Sequence, residues 1–335
     1  MAKIAFFSTK SYDRKFFERF NEAHQLEYFD SRLRSKTVNL TEGFDGVCVF
    51  VNDILDAPTL ERLKELGVGL VALRCAGFNN VDVDAACEHD IRVMRVPAYS
   101  PEAVAEHAVA LLLTLSRKTH KAYNRVREGN FSLERLNGFN IHGKTTGVIG
   151  TGRIGQAFCR IMKGFGSRLL AYDKYPSQEM KDMGVEYMSF DQVLKHSDIV
   201  SLHCPLTPET EHLINAGAIE KMKERAILIN TSRGKLVDTA AVIEGLRTEH
   251  LSGLAIDVYE QEEKLFFRDL SELIIPDDMI ARLIAFPNVL ITSHQGFFTN
   301  ESMEQITKTT LQNFVDYEQG NESDNDVTCD MVKKK

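Results

Sequence analysis

Thr146-Gly-Val-Ile-Gly150-Thr151-Gly152-Arg153-Ile154-Gly155 decides the fold of this chain. A short apolar run of strand type leads into a glycine turn, and Gln156–Lys163 behind the turn reads as a helix. In such an arrangement Gly150 permits the tight turn, Gly152 lets backbone approach a pyrophosphate, and Gly155 allows the helix to pack closely on the strand. The helix N-terminus presents free N–H groups to an anion. The next apolar run, Arg168–Tyr172, ends at Asp173, 18 residues past Gly155. That is close to the ~20 at which a dinucleotide-binding unit carries the acid for the ribose hydroxyls. A carboxylate there repels a 2′-phosphate, so the expected cofactor is NAD rather than NADP.

The same alternation extends in both directions. After the turn, strands are expected at Arg168–Tyr172, Ile199–His203, Ala226–Asn230, Gly253–Val258 and Val289–Thr292. With Thr146–Ile149 these make six, the complement of a complete dinucleotide fold. Before it, strands are expected at Ile4–Ser8, Leu26–Phe29, Gly46–Val51, Leu70–Cys75 and Arg92–Val96. Helical stretches separate several of them: Asp13–His24 spaces Phe16, Phe17 and Phe20 for one helix face, and Pro58–Leu66 opens on a proline. One long helix is expected from Pro101 to about Glu128, and another over Glu301–Tyr317 whose packing partner the periodicity leaves open. Strands alternating with helices mean an α/β protein with parallel sheets, here in two doubly wound lobes.

The bulk composition agrees. The 335 residues exceed what one hydrophobic core usually supports, and 43% hydrophobic with 26% charged residues and a net charge of −8 suit a globular protein with no affinity for nucleic acid. The basic run Lys333-Lys334-Lys335 reads as a solvated tail. Cys48, Cys75, Cys87, Cys159, Cys204 and Cys329 form no CxxC pair and mostly lie in apolar runs, so all six are expected as buried free thiols of a reducing, cytoplasmic compartment. The segment Met1–Ser8 is too short in apolar residues for an exported leader, and Ala103–Leu115 is interrupted by Glu106 and His107 and is too short to span a membrane. No His, Cys or Asp cluster has metal-ligand spacing.

Six blocks carry a resemblance. Ala72-Leu-Arg-Cys-Ala-Gly-Phe-Asn-Asn-Val-Asp82, Val96-Pro-Ala-Tyr-Ser-Pro-Glu-Ala-Val-Ala-Glu-His107, Gly147–Gly155, Asn230-Thr-Ser-Arg-Gly234, Asp257-Val-Tyr-Glu-Gln-Glu262 and Ser293-His294-Gln295 occur in one order over nearly the whole chain. Together they resemble the signature blocks of the D-2-hydroxyacid dehydrogenases, and Pro-Ala-Tyr-Ser with the Gly-Phe-Phe-Thr after His294 resemble that family's D-lactate branch. The resemblance implies a flavodoxin-like substrate lobe, residues 1–98 and 296–335, and a Rossmann NAD-binding lobe, residues 99–295. It also implies a homodimer or higher homo-oligomer joined through the cofactor lobes.

Reducing a 2-keto acid requires a proton donor at the carbonyl oxygen, a cation for the carboxylate, and a hydride. His294 and Arg233 both follow strand ends, the edge at which open α/β sheets bind ligands. By resemblance His294 is the acid/base, Arg233 the carboxylate clamp, and Glu262 the partner of the imidazole. An anion beside a histidine favours its protonated form, as reduction requires. Glu260 and Glu263 flank the acid, and where the family usually has proline this chain has Glu263, so the register of the acid stays open. Resemblance further places His203, Cys204, Pro205, Thr210, Thr231, Ser232 and Asp257 around the cofactor. The N–H groups of Ala76 and Gly77 and the Tyr99 hydroxyl are expected on the substrate carboxylate, with Phe297 over its side chain. Pyruvate is then the expected substrate. Another small 2-keto acid, or an NADH-sensing corepressor on the same scaffold, stays open.

Overall fold

Gly46–Val49 and Leu70–Leu73 are short aliphatic runs buried at every position, the pattern of strands covered on both faces. They become β3 and β4 of a five-stranded sheet ordered β2-β1-β3-β4-β5, in which every pairing is parallel. Here β1 is Lys3–Phe6, β2 Gln25–Tyr28 and β5 Arg92–Met94. The intervening helices are α1 (Ser11–Phe20), α2 (Ala57–Glu65) and α3 (Val83–Glu88). Asp56 accepts from the Thr59 N–H and Pro58 sits in the first turn, which starts α2 where the sequence places it. This sheet belongs to a compact unit comprising Met1–Ser100 and Phe298–Lys335. The computed structural model describes residues 1–333; of the basic tail, Lys334, Lys335 and the side chain of Lys333 lie outside the described residues.

The second unit is Pro101–Phe297. The long helix expected from Pro101 is two, α4 (Pro101–Arg117) and α5 (Thr119–Arg127). They part at Lys118, whose φ of +53° no helix can carry, and α5 has no buried residue, so packing does not hold it in line with α4. Behind them runs a seven-stranded, all-parallel sheet ordered β12-β11-β10-β9-β6-β7-β8. The strands are β6 (Thr145–Ile149), β7 (Arg168–Tyr172), β8 (Glu186–Tyr187), β9 (Ile199–Leu202), β10 (Ala226–Asn230), β11 (Leu251–Ile256) and β12 (Val289–Ile291). Six were expected. The additional one, β8, is two residues long at the sheet edge, paired to β7 alone, and too short to leave a periodic signal. Helices α6 (Arg153–Gly164), α7 (Gln178–Asp182), α8 (Phe190–His196), α9 (Ala216–Lys221), α10 (Thr239–Arg247) and α11 (Asp278–Ala285) connect the strands. Strand order reverses between β6 and β9, which opens a crevice at their carboxyl ends.

The chain then returns to the first unit as α12 (Asn300–Gln319), which packs on α1 and β4 and ends at Gly320 in the left-handed conformation. The segment after it lies antiparallel along β5: Val327 N–H donates to the Val93 carbonyl at 2.8 Å, Arg95 N–H to that of Asn325 at 2.9 Å, and Arg92 pairs with Asp326 at 2.7 Å. It leads to α13 (Cys329–Lys333). This return overturns the expectation of six free thiols. Cys87 of α3 and Cys329 form a disulfide, S–S 2.02 Å, across 242 residues of sequence, a pairing that only the α12 return creates. Cys48, Cys75 and Cys159 are buried free thiols and Cys204 is partly exposed. No helix among the described residues is long and apolar enough to cross a membrane.

Candidate active site

The glycine turn lies at the carboxyl end of β6, beside the strand-order reversal. Gly150 adopts φ +94°, and a Cβ there would meet the Cys204 nitrogen at 2.7 Å and the His203 carbonyl oxygen at 2.8 Å, so only glycine fits. At Gly155 a Cβ would meet the Gly150 carbonyl oxygen at 2.0 Å, the close helix–strand packing expected of the third glycine. At Gly152, the N-cap of α6, a Cβ would meet nothing within 4 Å, which leaves open space in front of the first helical N–H groups, those of Arg153 and Ile154. Asp173 follows β7. One carboxylate oxygen accepts from the Thr151 N–H at 2.5 Å and its hydroxyl at 3.0 Å, while the other accepts from the Tyr175 N–H at 2.7 Å. The acid therefore holds the turn's backbone.

Across the crevice, burial pushes the His203 imidazole down to about 3 and the Cys204 thiol up to about 11. The His203 ring packs on Phe158 with centroids 4.8 Å apart and its Nε2 meets the Ser201 hydroxyl at 2.9 Å; it is a neutral wall residue, not an acid/base. The Thr210 hydroxyl donates to the Pro205 carbonyl at 2.8 Å and accepts from the Thr207 N–H at 2.7 Å, which makes it the organiser of the turn after β9. Ser232 donates to the Cys204 carbonyl at 2.6 Å and so ties this turn to the loop after β10. In that loop the Thr231 hydroxyl is buried and has no hydrogen-bond partner among the described residues, which leaves it for a bound group. An open helix N-terminus, glycines in close-approach positions and an unmet buried hydroxyl fit a dinucleotide.

The polar groups for chemistry sit on loops after the adjacent strands β10, β11 and β12, which pair in register Asn230–Ile256–Ile291. The Asn230 side chain donates to the Arg233 carbonyl at 2.8 Å and accepts from the Ser232 N–H at 3.0 Å, fixing the turn that carries Arg233. Gly234 follows because a Cβ there would strike the Tyr259 carbonyl carbon and oxygen, both at 2.1 Å. Arg233 itself is half-buried; one terminal nitrogen donates to the Ser232 carbonyl at 2.7 Å, and among the described residues it has no carboxylate partner.

His294 Nδ1 meets a Glu262 carboxylate oxygen at 2.9 Å, and the other Glu262 oxygen accepts from the Tyr259 N–H at 2.9 Å. This resolves the register of the acid. Glu260 is engaged elsewhere, with His212 at 2.8 Å and the Thr239 hydroxyl at 2.8 Å. Since the carboxylate accepts at Nδ1, Nε2 is the nitrogen available to a substrate. His294 has φ +54°, an uncommon conformation for a residue with a Cβ, and the loop around it overdetermines the geometry. Its N–H donates to the Asp257 carbonyl at 2.7 Å, and the buried Asp257 carboxylate accepts from the Thr292 hydroxyl and from the N–H groups of Gln295 at 2.9 Å and Gly296 at 2.8 Å. His107 of α4 lies 3.3 Å from the same carboxylate. Burial alone would raise this carboxyl, but His107 and the hydrogen bonds outweigh it and keep the group below the usual range.

Within the first unit, Ala76 and Gly77 form the turn after β4. Arg95 donates to the Ala76 carbonyl at 2.9 Å and the Cys75 thiol to that of Gly77 at 3.3 Å, while neither N–H has an acceptor among the described residues. Tyr99 is half-buried. Phe297 is buried, whereas Phe298 beside it is 47% exposed and packs edge-on against Tyr12, centroids 4.7 Å apart.

Residues 109–296 match the family described as D-isomer specific 2-hydroxyacid dehydrogenase, NAD binding domain. The chain belongs to this family. It is 52% identical to the D-lactate dehydrogenase of Escherichia coli over 327 residues, 97% of this chain and 99% of that protein. A solved apo-structure of D-lactate dehydrogenase from that organism superposes with a TM-score of 0.90 at 50% identity, covering 97% of this chain and 100% of the other. A structure of the pyruvate reductase of Chlamydomonas reinhardtii gives 0.91 at 42% identity, covering 97% and 98%. As a 2-hydroxyacid dehydrogenase of this family the chain uses NAD, which supplies or accepts the hydride when bound, and the turn at Gly150–Gly155 with Thr231 and Asp173 would hold it. Sequence reasoning assigned no role to His107, Thr292 or Asn230. The first two act on Asp257 across 150 and 35 residues of sequence, a distance at which no local spacing signals a partner.

Proposed function

We propose that this dehydrogenase reduces pyruvate to D-lactate with NADH. The observation that carries the reading is the His294–Glu262 pair at 2.9 Å, on loops adjoining the one that presents Arg233 without an internal carboxylate partner. Arg233 receives the keto acid carboxylate on its planar fork. His294 delivers its Nε2 proton to the carbonyl oxygen as the hydride reaches the carbonyl carbon, and Glu262 stabilises the charged imidazole that precedes transfer. Phe297, buried at the end of the same unit, bounds the methyl side. The names of the related D-lactate dehydrogenases and of the pyruvate reductase support the choice of substrate. The test is NADH oxidation by purified protein with pyruvate, 2-ketobutyrate, phenylpyruvate, hydroxypyruvate and glyoxylate. Pyruvate should give the highest kcat/KM, with 2-ketobutyrate lower by the ~10- to 200-fold or less that one methylene is worth. A large preference for hydroxypyruvate would overturn the assignment.

We further propose a cytoplasmic homodimer joined through the cofactor lobes. Supporting the dimer, α5 has no fully buried residue, and it and the segment after it expose Tyr123, Val126, Phe131 and Leu133, a concentration of apolar surface a lone subunit would leave in water. The NADH that the reaction consumes is drawn from the intracellular pool, which supports the location.

A further inference from the structure

Four of the six cysteines are free thiols, three of them buried, but Cys87 is exposed at the end of α3 and Cys329 is half-buried at the start of α13. Their disulfide lines an open cleft of about 750 Å³ together with Lys64, Gly69, Arg92 and Tyr317. That volume lies in the range that admits small organic ligands, ~300–1,000 Å³. Lys64 and Arg92 place cations on its wall, paired with Asp90 at 3.8 Å and Asp326 at 2.7 Å. The bond also ties down the chain end. Between Gly320 and Cys329 the segment is held by one backbone hydrogen bond to Val93 of β5 and one to Arg95 just past it, by Arg92 on Asp326 and on the Asn321 carbonyl, by the Asn321 N–H on the Asp316 carbonyl, by the Asn325–Asn313 side-chain bond and by the buried Val327.

We infer that this cleft is a thiol–disulfide exchange site for a small-molecule thiol of about tripeptide size, and that exchange there unlatches the C-terminal segment from β5. The incoming thiolate attacks the exposed Cys87 sulfur, a new S–S bond forms, and the Cys87–Cys329 bond breaks with its electron pair leaving on Cys329. The departing thiolate forms in the cleft that Lys64 and Arg92 also line, and it then takes a proton from water. A second small thiol then attacks the mixed disulfide. Two small thiols are thereby oxidised to one small disulfide and two protein cysteines are reduced. With the covalent tie gone the denatured chain regains the freedom the bond removed, and the segment is left to its few local contacts.

The test uses the full-length protein purified without reductant, with reduced glutathione as probe. Intact-protein and peptide mass spectrometry should show four free thiols before treatment, a mixed disulfide on Cys87 during it and six free thiols after, without denaturant. Amide exchange over residues 321–331 should speed up several-fold on reduction, while β1, β3 and β4 stay protected. Cys87→Ser and Cys329→Ser should each show the fast exchange without any reductant. Six free thiols in the untreated protein would overturn the inference. So would a bond that glutathione opens only after global unfolding, or a segment whose exchange is the same in the oxidised, reduced and Ser forms.

Discussion

At the scale of the residue, Arg233 is held by two backbone contacts made on its behalf, Asn230 to its carbonyl and its own nitrogen to the Ser232 carbonyl, which leave the rest of the fork for an anion. A lysine conserves the charge but not the paired donors. One charge-assisted hydrogen bond is worth about 1.5–3 kcal/mol, or roughly 10- to 100-fold. Arg233→Lys should therefore lower pyruvate kcat/KM by at least that factor in steady-state assays, and near-normal values would remove it from the clamp. Glu262→Gln keeps a hydrogen bond to Nδ1 but deletes the anion that stabilises the imidazolium. The variant should therefore reduce pyruvate with a kcat lower by about 10-fold or more at fixed pH, with a much smaller change in pyruvate KM. An unchanged kcat would separate Glu262 from proton transfer. At Asp173 the structure adds a second role to the proposed contact with the ribose, because the carboxylate also supports Thr151. Asp173→Ala should weaken NADH through both losses and, with the like-charge contact gone, raise the NADPH to NADH ratio of kcat/KM. A wild type that used both cofactors equally would show that this acid does not meet the ribose.

At the scale of the element, the strand, turn and helix from β6 to α6 work because two backbones nearly touch. Gly150 combines a left-handed φ with the Cys204 nitrogen and the His203 carbonyl within 2.8 Å of a hypothetical Cβ. Gly150→Ala has to move the loop after β9 or open the turn, at a penalty of about 1–3 kcal/mol in stability. Its Tm should fall by several degrees and its NADH affinity, read by fluorescence titration, by tenfold or more. Unchanged binding would show that the turn tolerates the shift and that the glycine serves packing alone. The loop after β12 rests on a different device. Asp257, with four donors converging on it from Thr292, Gln295, Gly296 and His107, sets the backbone from which His294 departs, so the histidine's strained φ is maintained by hydrogen bonds that join three separate segments.

At the scale of the whole molecule, Tyr123 and Val126 on α5 and Phe131 and Leu133 behind it are largely exposed, and covering them is what the proposed dimer accomplishes. Phe131→Ser with Leu133→Ser should leave each lobe intact and yield a monomer by light scattering on a size-exclusion column, while wild type elutes at twice the chain mass. A monomeric wild type would leave that surface unexplained by self-association. The return of α12 to the first unit makes that unit from two distant stretches of chain, so residues 298–333 contribute to a core whose strands all lie within the first hundred residues.

Much of this was legible from residue order. Short apolar or alternating runs located eleven of the twelve strands among the described residues, and central ones such as β3, β4, β9 and β10 stand out because parallel strands covered on both faces are apolar throughout. Gly150, Gly152, Gly155 and Asp173 were identifiable because tight turns and anion contacts demand those residue types at those spacings. The sequence blocks also nominated Arg233 and His294. What tertiary structure alone decided is everything that depends on groups meeting across long stretches of chain. It selected Glu262 over Glu260 and Glu263, because which carboxylate reaches Nδ1 depends on how the loops after β11 and β12 lie together. It made His203 a neutral wall and joined His107, Thr292 and Asp257 into one support. It broke the helix at Lys118, where no proline or glycine announces a stop. It also brought Cys329 onto Cys87, because a bond across 242 residues is set by the path of the chain and not by the identity of its neighbours.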